Sequence, residues 1–307
     1  MSTIPPTEPI NDSSEPPRVV VAQRTSIFAD RARRFATLAA GHALGDWLRL
    51  LGRLSQAQHR ALQSLPVVPL PDGEGLRRAH AHAMPPLPAQ HWPRDPVWRA
   101  ALRTIIDVVA EGSPEAARTS LAELAVATPE QLEALADRVL RTELYGDQAA
   151  LLPFVAAALQ VYWTGMAAAL GDKGIAPLDV PGLCPCCGSL PVASVVRVAA
   201  DVNNLRYLHC SLCNTEWNLV RVKCAACEAT DGISYRQIEG STLPNAEAMR
   251  AETCDSCKSY LKILYQEKAP EGDPVADDLA TLALDRLVDA AGYSRAGPNL
   301  LFVVGPG

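Results

Sequence analysis

Eight of the nine cysteines in the chain fall into four pairs with the spacing C-x-x-C. The pairs are Cys184/Cys187, Cys210/Cys213, Cys224/Cys227 and Cys254/Cys257, and the ninth cysteine, Cys186, lies inside the first pair. A C-x-x-C turn presents two thiolates to one tetrahedral ion, because its two-residue spacer lets the backbone curl around the metal. Two such turns fill four positions, so the spacing predicts two four-cysteine metal sites.

The intervals between the pairs predict how the pairs combine. Twenty-two residues separate the first pair from the second and 26 separate the third from the fourth, whereas only ten join the second to the third. Both long intervals contain strand-like sequence, as a zinc ribbon or a rubredoxin-like fold requires. We therefore expect two tandem modules, the first over residues 180–220 and the second over residues 221–268.

Three other uses of cysteine agree less well with the sequence. A disulfide framework would suit a secreted chain, but the N-terminus has no basic run followed by an apolar core. A thioredoxin-like motif needs one pair beside a βαβ unit, not four pairs in β-rich sequence. A nucleophilic cysteine needs a partner base, and the only histidine near in sequence, His209, adjoins the predicted ligand Cys210.

The spacing does not choose the ion, because four thiolates in a tetrahedron accept both zinc and iron. Sites closed by four protein ligands leave no position for a reacting water, which argues against hydrolytic metal catalysis. Such small modules bury little core, so loss of an ion should unfold its own module and leave the helical domain intact. Cys186 is either a small residue of the turn or a spare thiol that could replace a ligand.

The first half of the chain predicts an α-helical domain over residues 20–172. Apolar residues recur with helical spacing over residues 35–54 and 98–109, and the segment beginning at Thr128 has a capping box followed by proline at the first helical position. Eight prolines between residues 65 and 96 exclude a regular element there. They predict an arm that is either ordered across the helices or flexible.

Residues 149–170 form a stretch of 22 residues without a charge, long enough to cross a bilayer. Its eight alanines, together with Pro153, Gln160, Thr164 and Gly165, weaken membrane insertion, and no cluster of Lys or Arg flanks it. A helix that is apolar on most sides can equally be the central helix of a bundle. We therefore expect a buried helix and no membrane insertion.

Composition and charge narrow the range of partners. The chain is 48% hydrophobic and 20% charged, with a net charge of −6, which argues against broad attraction to phosphate or anionic membranes. Residues 184–267 hold eight Lys and Arg against nine Asp and Glu, so we expect no nucleic-acid binding. Five prolines in the first 17 residues predict a disordered tail over residues 1–19, and residues 273–307 predict a C-terminal helix with an apolar tail.

Several phrases of the sequence resemble one known family. They are "LCPCCGSLPVASVV", "LRYLHCSLCNTEWNLVRVKCAAC", "CDSCKSYLKILY" and, near the C-terminus, "DDLATLALDRL". At matching positions and in matching order they resemble the FdhE family of formate dehydrogenase accessory proteins. The likeness spans nearly the whole chain. It departs at Cys186, where the family's first turn reads C-P-x-C-G with a residue other than cysteine usual.

The resemblance implies an α+β multidomain fold, in which an N-terminal helical domain precedes two rubredoxin-like or zinc-ribbon-like metal modules and a C-terminal helix. It also implies that the eight paired cysteines bind iron, with zinc able to replace it. Family members are cytoplasmic, are needed for active respiratory formate dehydrogenase, and contact its catalytic subunit before export by the twin-arginine pathway.

We therefore expect a non-enzymatic maturation protein for formate dehydrogenase, located in the cytoplasm, with its catalytic subunit as partner. Two alternatives stay open at this point. One is a rubredoxin-like redox carrier that assists insertion of the client's cofactors, and the other is a zinc-ribbon protein that binds nucleic acid. Self-association of the chain is also left open.

Overall fold

The computed structural model describes residues 16–198, 204–240 and 246–303. Within them, the N-terminal half contains seven α-helices. These are α1 (Ile27–Ala39), α2 (Gly45–Gln63), α3 (Gly73–Ala81), α4 (Trp98–Ala110), α5 (Glu115–Val126), α6 (Pro129–Leu140) and α7 (Leu152–Leu170). The capping box at Thr128 is present as predicted, because its hydroxyl accepts from the Gln131 backbone and the Gln131 side chain accepts from the Thr128 backbone.

Helix α7 is the centre of the helical domain, with α2, α4 and α6 packed around it. The apolar segment that includes α7 is 89% buried, so a segment long enough to cross a membrane serves here as a core helix, as the sequence predicted. Gly165 lets the Leu65 side chain pack directly against the backbone of α7, because a Cβ at this position would lie 2.5 Å from Leu65 Cδ2.

The helical half differs from the sequence-based expectation in two places. The helix expected over residues 35–54 is two helices, and Gly41, with φ of +68°, turns the chain between α1 and α2. The proline-rich arm contains α3, although a regular element was excluded there. Residues 72–84 contain no proline, so a helix can form there. Asp72 caps this helix by accepting from the Gly75 N–H at 2.7 Å.

In the described residues, the second half of the chain and one N-terminal strand form a single sheet of eight strands. These are β1 (Val19–Val20), β2 (Pro191–Arg197), β3 (Leu205–Cys210), β4 (Glu216–Asn218), β5 (Ile233–Arg236), β6 (Met249–Cys254), β7 (Ser259–Tyr265) and β8 (Ser294–Arg295). The order is β1-β4-β3-β2-β7-β6-β5, with β8 also paired to β7. The parallel pair β2–β7, with Ser194 opposite Ile263, joins the two predicted modules into a continuous sheet.

The N-terminal strand belongs to this sheet. Of the predicted tail, residues 1–15 lie outside the described residues, but Val19 pairs with Trp217 in β4. Just before the strand, the Tyr207 hydroxyl donates to the Pro17 carbonyl at 2.8 Å. The part of the tail nearest residue 19 is therefore structured, because β4 would otherwise leave its edge unpaired.

The C-terminal helix expected as one element is two helices, α8 (Pro274–Ala280) and α9 (Leu282–Ala290), which meet at Thr281. The buried ammonium of Lys262 donates to the carbonyls of Asp278 at 2.8 Å and Thr281 at 3.1 Å. These carbonyls are among those that a continuous helix would use for its own hydrogen bonds, so the lysine stabilises the break. The last residues of the predicted tail, 304–307, lie outside the described residues.

Two buried ion pairs tie the helical domain to α8. Arg31 Nε donates to Asp273 Oδ1 at 3.0 Å, and Arg34 Nε donates to Asp277 Oδ2 at 2.8 Å. All four side chains are buried, with at most 7% of any of them exposed. Because each charge is removed from water, each arginine depends on its carboxylate, and the reverse also holds.

Replacing Arg34 with alanine should therefore destabilise the protein by about 3 to 5 kcal/mol, since Asp277 would stay buried without its partner. The neighbouring Arg33 is a matched control, because its pair with Asp30 leaves the two side chains 70% and 50% exposed. Arg33→Ala should cost less than about 1 kcal/mol. Urea unfolding of both variants measures the two values, and equal losses would contradict this account of the interface.

Candidate metal centres

The first centre combines the turn before β2 with the turn between β3 and β4. Cys184 Sγ lies 3.5 Å from Cys213 Sγ, and Cys187 Sγ lies 3.5 Å from Cys210 Sγ. All four sulfur atoms lie within 4.8 Å of one another, and all four residues are buried. The hairpin of β2 and β3 reverses the direction of the chain and so brings the Cys210/Cys213 turn next to the Cys184/Cys187 turn.

The second centre repeats this arrangement with the turns before β5 and between β6 and β7. Cys224 Sγ lies 3.7 Å from Cys257 Sγ, and Cys227 Sγ lies 3.7 Å from Cys254 Sγ. Its four sulfur atoms also lie within 4.8 Å of one another, but Cys227 and Cys257 are exposed. The first cysteine pair therefore combines with the second, and the third with the fourth, as the intervals between them predicted.

The sulfur positions fit one tetrahedral ion in each group. A metal–sulfur bond of about 2.3 Å places the four sulfur atoms of a tetrahedron about 3.8 Å apart. The closest Sγ–Sγ distances are 3.5 Å in the first group and 3.7 Å in the second, near this value and too long for disulfide bonds. Each group could therefore hold one metal ion.

A left-handed residue follows the second cysteine of every pair. The four residues are Gly188, Asn214, Glu228 and Lys258, with φ between +55° and +74°. This conformation turns the chain as it leaves each C-x-x-C turn. Within the turns, backbone N–H groups donate to the sulfur atoms. Leu212 N donates to Cys210 Sγ at 3.3 Å and Ala226 N donates to Cys224 Sγ at 3.4 Å, contacts that stabilise a thiolate.

The protonation of the thiols links metal binding to pH. Burial raises the pKa of Cys184 and Cys210 well above the ordinary thiol value. In the second group, neighbouring sulfur atoms and burial outweigh a backbone hydrogen bond and raise the pKa of Cys227 to about 12. Hydrogen bonds from Ser259 and neighbouring thiols outweigh burial at Cys257 and lower its pKa to about 7. Filling either group must displace protons, so affinity should fall as the pH falls.

Helix α7 bonds to the Cys210/Cys213 turn, which is the second turn of the first centre. Gln160 Nε2 donates to the Ser211 carbonyl at 2.8 Å, inside the Cys210/Cys213 turn. Gln58 on α2 donates to Gln160 Oε1 at 2.8 Å and so fixes the orientation of that amide. The turn therefore depends on two helices for its position.

A second contact to the same turn runs through Asn214. Its Nδ2 donates to Thr164 Oγ1 on α7 at 2.9 Å, and its Oδ1 accepts from Arg31 Nη2 on α1 at 2.8 Å. The ring of His209 lies 3.2 Å from the same oxygen and 2.9 Å from Glu216 Oε1. These groups form a buried polar network between the helices and the sheet.

The proline-rich arm closes the first turn of this centre. Leu87 N donates to the Cys186 carbonyl at 3.0 Å, and Ala89 N donates to the Cys187 carbonyl at 2.9 Å. Trp163 Nε1 on α7 donates to the Leu87 carbonyl at 3.1 Å, which ties the arm to the core. Of the two alternatives for the arm, the ordered one is observed.

Cys186 lies outside the group of four sulfur atoms that could share an ion, although it is fully buried. A hydrogen bond with the Cys213 sulfur, together with burial, raises the pKa of its thiol well above the ordinary value. The thiol therefore lies against the Cys213 sulfur, while the sulfur atoms of Cys184 and Cys187 belong to the group of four.

Sequence reasoning did not find the helical residues that hold the first centre. Gln160 and Thr164 were noted only as residues that weaken membrane insertion, yet both are buried and bond to the Cys210/Cys213 turn region. Their spacing of four places them on one face of α7. Two polar residues on one face of an otherwise apolar helix were the signal that could have revealed the contact.

Fold and sites together define a helical domain joined to two rubredoxin-like four-cysteine modules. Three segments of the chain match the FdhE family: "FdhE, N-terminal" over residues 16–179, "FdhE, central domain" over residues 183–221 and "FdhE, C-terminal domain" over residues 222–302. The chain belongs to the FdhE family, which confirms the resemblance.

Relatives agree along nearly the whole chain. A protein FdhE homolog of Serratia proteamaculans is 39% identical over 284 residues, which cover 92% of this chain and 90% of the relative. One of Stutzerimonas stutzeri is also 39% identical and covers 95% of this chain and 94% of the relative. The crystal structure of the FdhE protein from Pseudomonas aeruginosa matches with a TM-score of 0.84 at 38% identity, covering 94% of this chain and all of that one.

Replacing Cys187 or Cys257 with serine should each remove one ion per chain, because each change deletes one of four sulfur ligands. Contrary to the expectation from the sequence, the Cys187 variant should also lower the stability of the helical domain, since its centre is bonded to α7 and the arm. The Cys257 variant should leave that domain intact. Elemental analysis measures the ions, and thermal unfolding followed by circular dichroism measures the helices.

Cys186→Ser is the matched control for the first centre and should retain both ions. Loss of an ion from the Cys186 variant, with none lost from the Cys187 variant, would show that the first turn binds through a different pair of cysteines.

Glu216 gives a separate pH-dependent prediction. Burial raises its pKa, but the charge of Arg197 and the hydrogen bond with His209 outweigh burial and lower it to about 2. A carboxylate with a lowered pKa stabilises the fold above its unfolded pKa and loses this effect as the pH falls toward the folded value. The shift corresponds to about 3 kcal/mol.

The free energy of unfolding of the native chain should therefore exceed that of Glu216→Gln by up to about 3 kcal/mol at neutral pH, and the difference should narrow below about pH 4. Urea unfolding of both proteins at a series of pH values measures it. A difference that is constant down to pH 3 would contradict the assigned cause.

Proposed function

We propose that this chain is a non-enzymatic maturation factor that binds the catalytic subunit of formate dehydrogenase in the cytoplasm, before that subunit is exported. The observation that carries the proposal is membership of the FdhE family along nearly the whole chain, with both four-cysteine groups in place. The proposed ligands are the four sulfur atoms of each group.

The chemistry of the two groups supports a non-enzymatic role. Four sulfur ligands close the coordination of a tetrahedral ion, so neither ion would offer a position to a substrate or a water. Within residues 16–198, 204–240 and 246–303, the two cysteine groups are the sets of His, Cys, Asp and Glu side chains with metal-binding geometry. Their proposed task is to shape a rigid surface.

Iron is the proposed native ion, with zinc able to take its place. Both ions accept tetrahedral thiolate, and the Sγ–Sγ distances of 3.5 to 3.7 Å suit either. When bound, an iron ion in such a site can also carry one electron.

The ion pairs of the sheet argue for a protein partner over nucleic acid. Five of the eight basic residues between 184 and 267 are paired with carboxylates of the same chain: Arg197, Arg206, Lys223, Lys258 and Lys262. Arg206 and Lys262 are also buried. Arg206 and Lys262, which are both buried and paired, are not available to neutralise phosphates.

A co-purification experiment tests the proposal. The tagged chain should recover the catalytic subunit of formate dehydrogenase from cells that make it, and the Arg33→Ala variant should recover as much. Recovery of nucleic acid without that subunit would overturn the proposal. Cells that lack the chain should make the subunit but show little formate dehydrogenase activity.

One observation favours the redox carrier as a second candidate. Cys227 and Cys257 are exposed, so an ion in the second centre would lie near solvent and within reach of an electron donor. A reversible one-electron signal from the second centre of the iron-loaded chain, absent from the Cys257→Ser variant that keeps its first ion, would support this candidate.

A further inference from the structure

The two centres have the same sulfur geometry but very different surroundings. Every residue of the first centre's turns, 184–187 and 210–214, is buried. In the turns of the second centre, residues 226–228 and 255–258 are exposed. The difference therefore concerns whole turns and not single side chains.

The cysteine side chains of the first centre are buried and its turns are bonded from two directions, although a cavity of about 520 Å³ lined by Cys187 and Leu212 adjoins them. Gln160 on α7 donates to the Ser211 carbonyl on one side, and the Leu87 N–H of the arm donates to the Cys186 carbonyl on the other. Asn214 is bonded to both α1 and α7. Separating these contacts exposes the buried surface of α7, which is a high-energy opening.

Access to the second centre requires no such opening. In the described part of the chain, its turns are held by the sheet and by the segment that follows α9. Asp255 N donates to the Gly232 carbonyl at 2.9 Å, the Tyr293 hydroxyl donates to Asp255 Oδ1 at 2.7 Å, and Ser294 N donates to the Lys258 carbonyl at 2.8 Å. These contacts support the turns from behind and leave the Cys227 and Cys257 side open to solvent.

We propose that the second centre is the exchangeable metal site of this chain, and that the first is a structural site that does not release its ion while the core is folded. The proposal rests on ligation by the eight paired cysteines. Exchange is a substitution of ligands: an incoming donor binds the divalent ion as the exposed Cys227 and Cys257 leave it, Cys224 and Cys254 then leave in turn, and the released thiolates take protons from the solvent to the extent that the pH dictates. The charge of the ion does not change.

The release of zinc to a chelator tests the proposal on the full chain. The zinc content is measured first, and two ions per chain are expected. A content below two would contradict the proposed ligation, which separates that failure from a failure of the present proposal. An excess of EDTA should then remove the zinc in two phases of equal size, with rates that differ by about tenfold or more. Release of both ions in one phase would overturn the proposal.

Two matched variants assign the phases. Cys227→Ser should abolish the fast phase and retain the slow one, whereas Cys187→Ser should abolish the slow phase. Loss of the slow phase from the Cys227 variant would overturn the assignment.

Because the Cys187 variant can fail to fold, a second measurement uses the unaltered chain. Iodoacetamide is added together with EDTA, and modified peptides are identified by mass spectrometry at successive times. Cys227 and Cys257 should be modified during the fast phase, and the five cysteines between residues 184 and 213 should stay protected until the slow phase. Modification of Cys184 or Cys210 in the fast phase would also overturn the proposal.

Discussion

The buried side chain of Asn214 makes the contacts on which the arrangement of the whole molecule depends. Its amide bonds to Thr164 on α7 and to Arg31 on α1, and Arg31 in turn bonds to Asp273 at the start of α8. One residue of a metal-binding turn thus joins the helical domain, the sheet and the C-terminal helices. An apolar side chain here would leave several buried polar groups without partners, and each such group costs about 1 to 3 kcal/mol.

The two modules show how a repeated motif acquires different properties from its surroundings. Each has two C-x-x-C turns, a left-handed residue after each turn and an antiparallel strand pair between them. The parallel contact of β2 with β7 then places them side by side in one sheet. Helix α7 and the arm can cover only the module nearest to them, so one set of turns is enclosed and the other faces solvent.

Local features of this structure could be predicted from the sequence, and contacts between distant segments could not. The C-x-x-C spacing places two sulfur atoms in one turn, and the capping box at Thr128 determines where α6 begins, because both involve residues a few positions apart. The break at Thr281 depends on Lys262, which lies in strand β7, 19 positions earlier in the chain. The parallel pairing of β2 and β7 likewise joins segments about 70 positions apart, and no local pattern encodes it.

The ion pairs between α1 and α8 also determine when this protein can finish folding during its synthesis. Arg31 and its partner Asp273 are 242 positions apart, so Arg31 leaves the ribosome long before its carboxylate exists. At ordinary elongation rates that interval is roughly 10 to 50 seconds. Throughout it, α1 carries two cations that the finished structure buries, and water must solvate them. The helical domain is first in the sequence, but its first helix reaches its final position only when the last helices have been made.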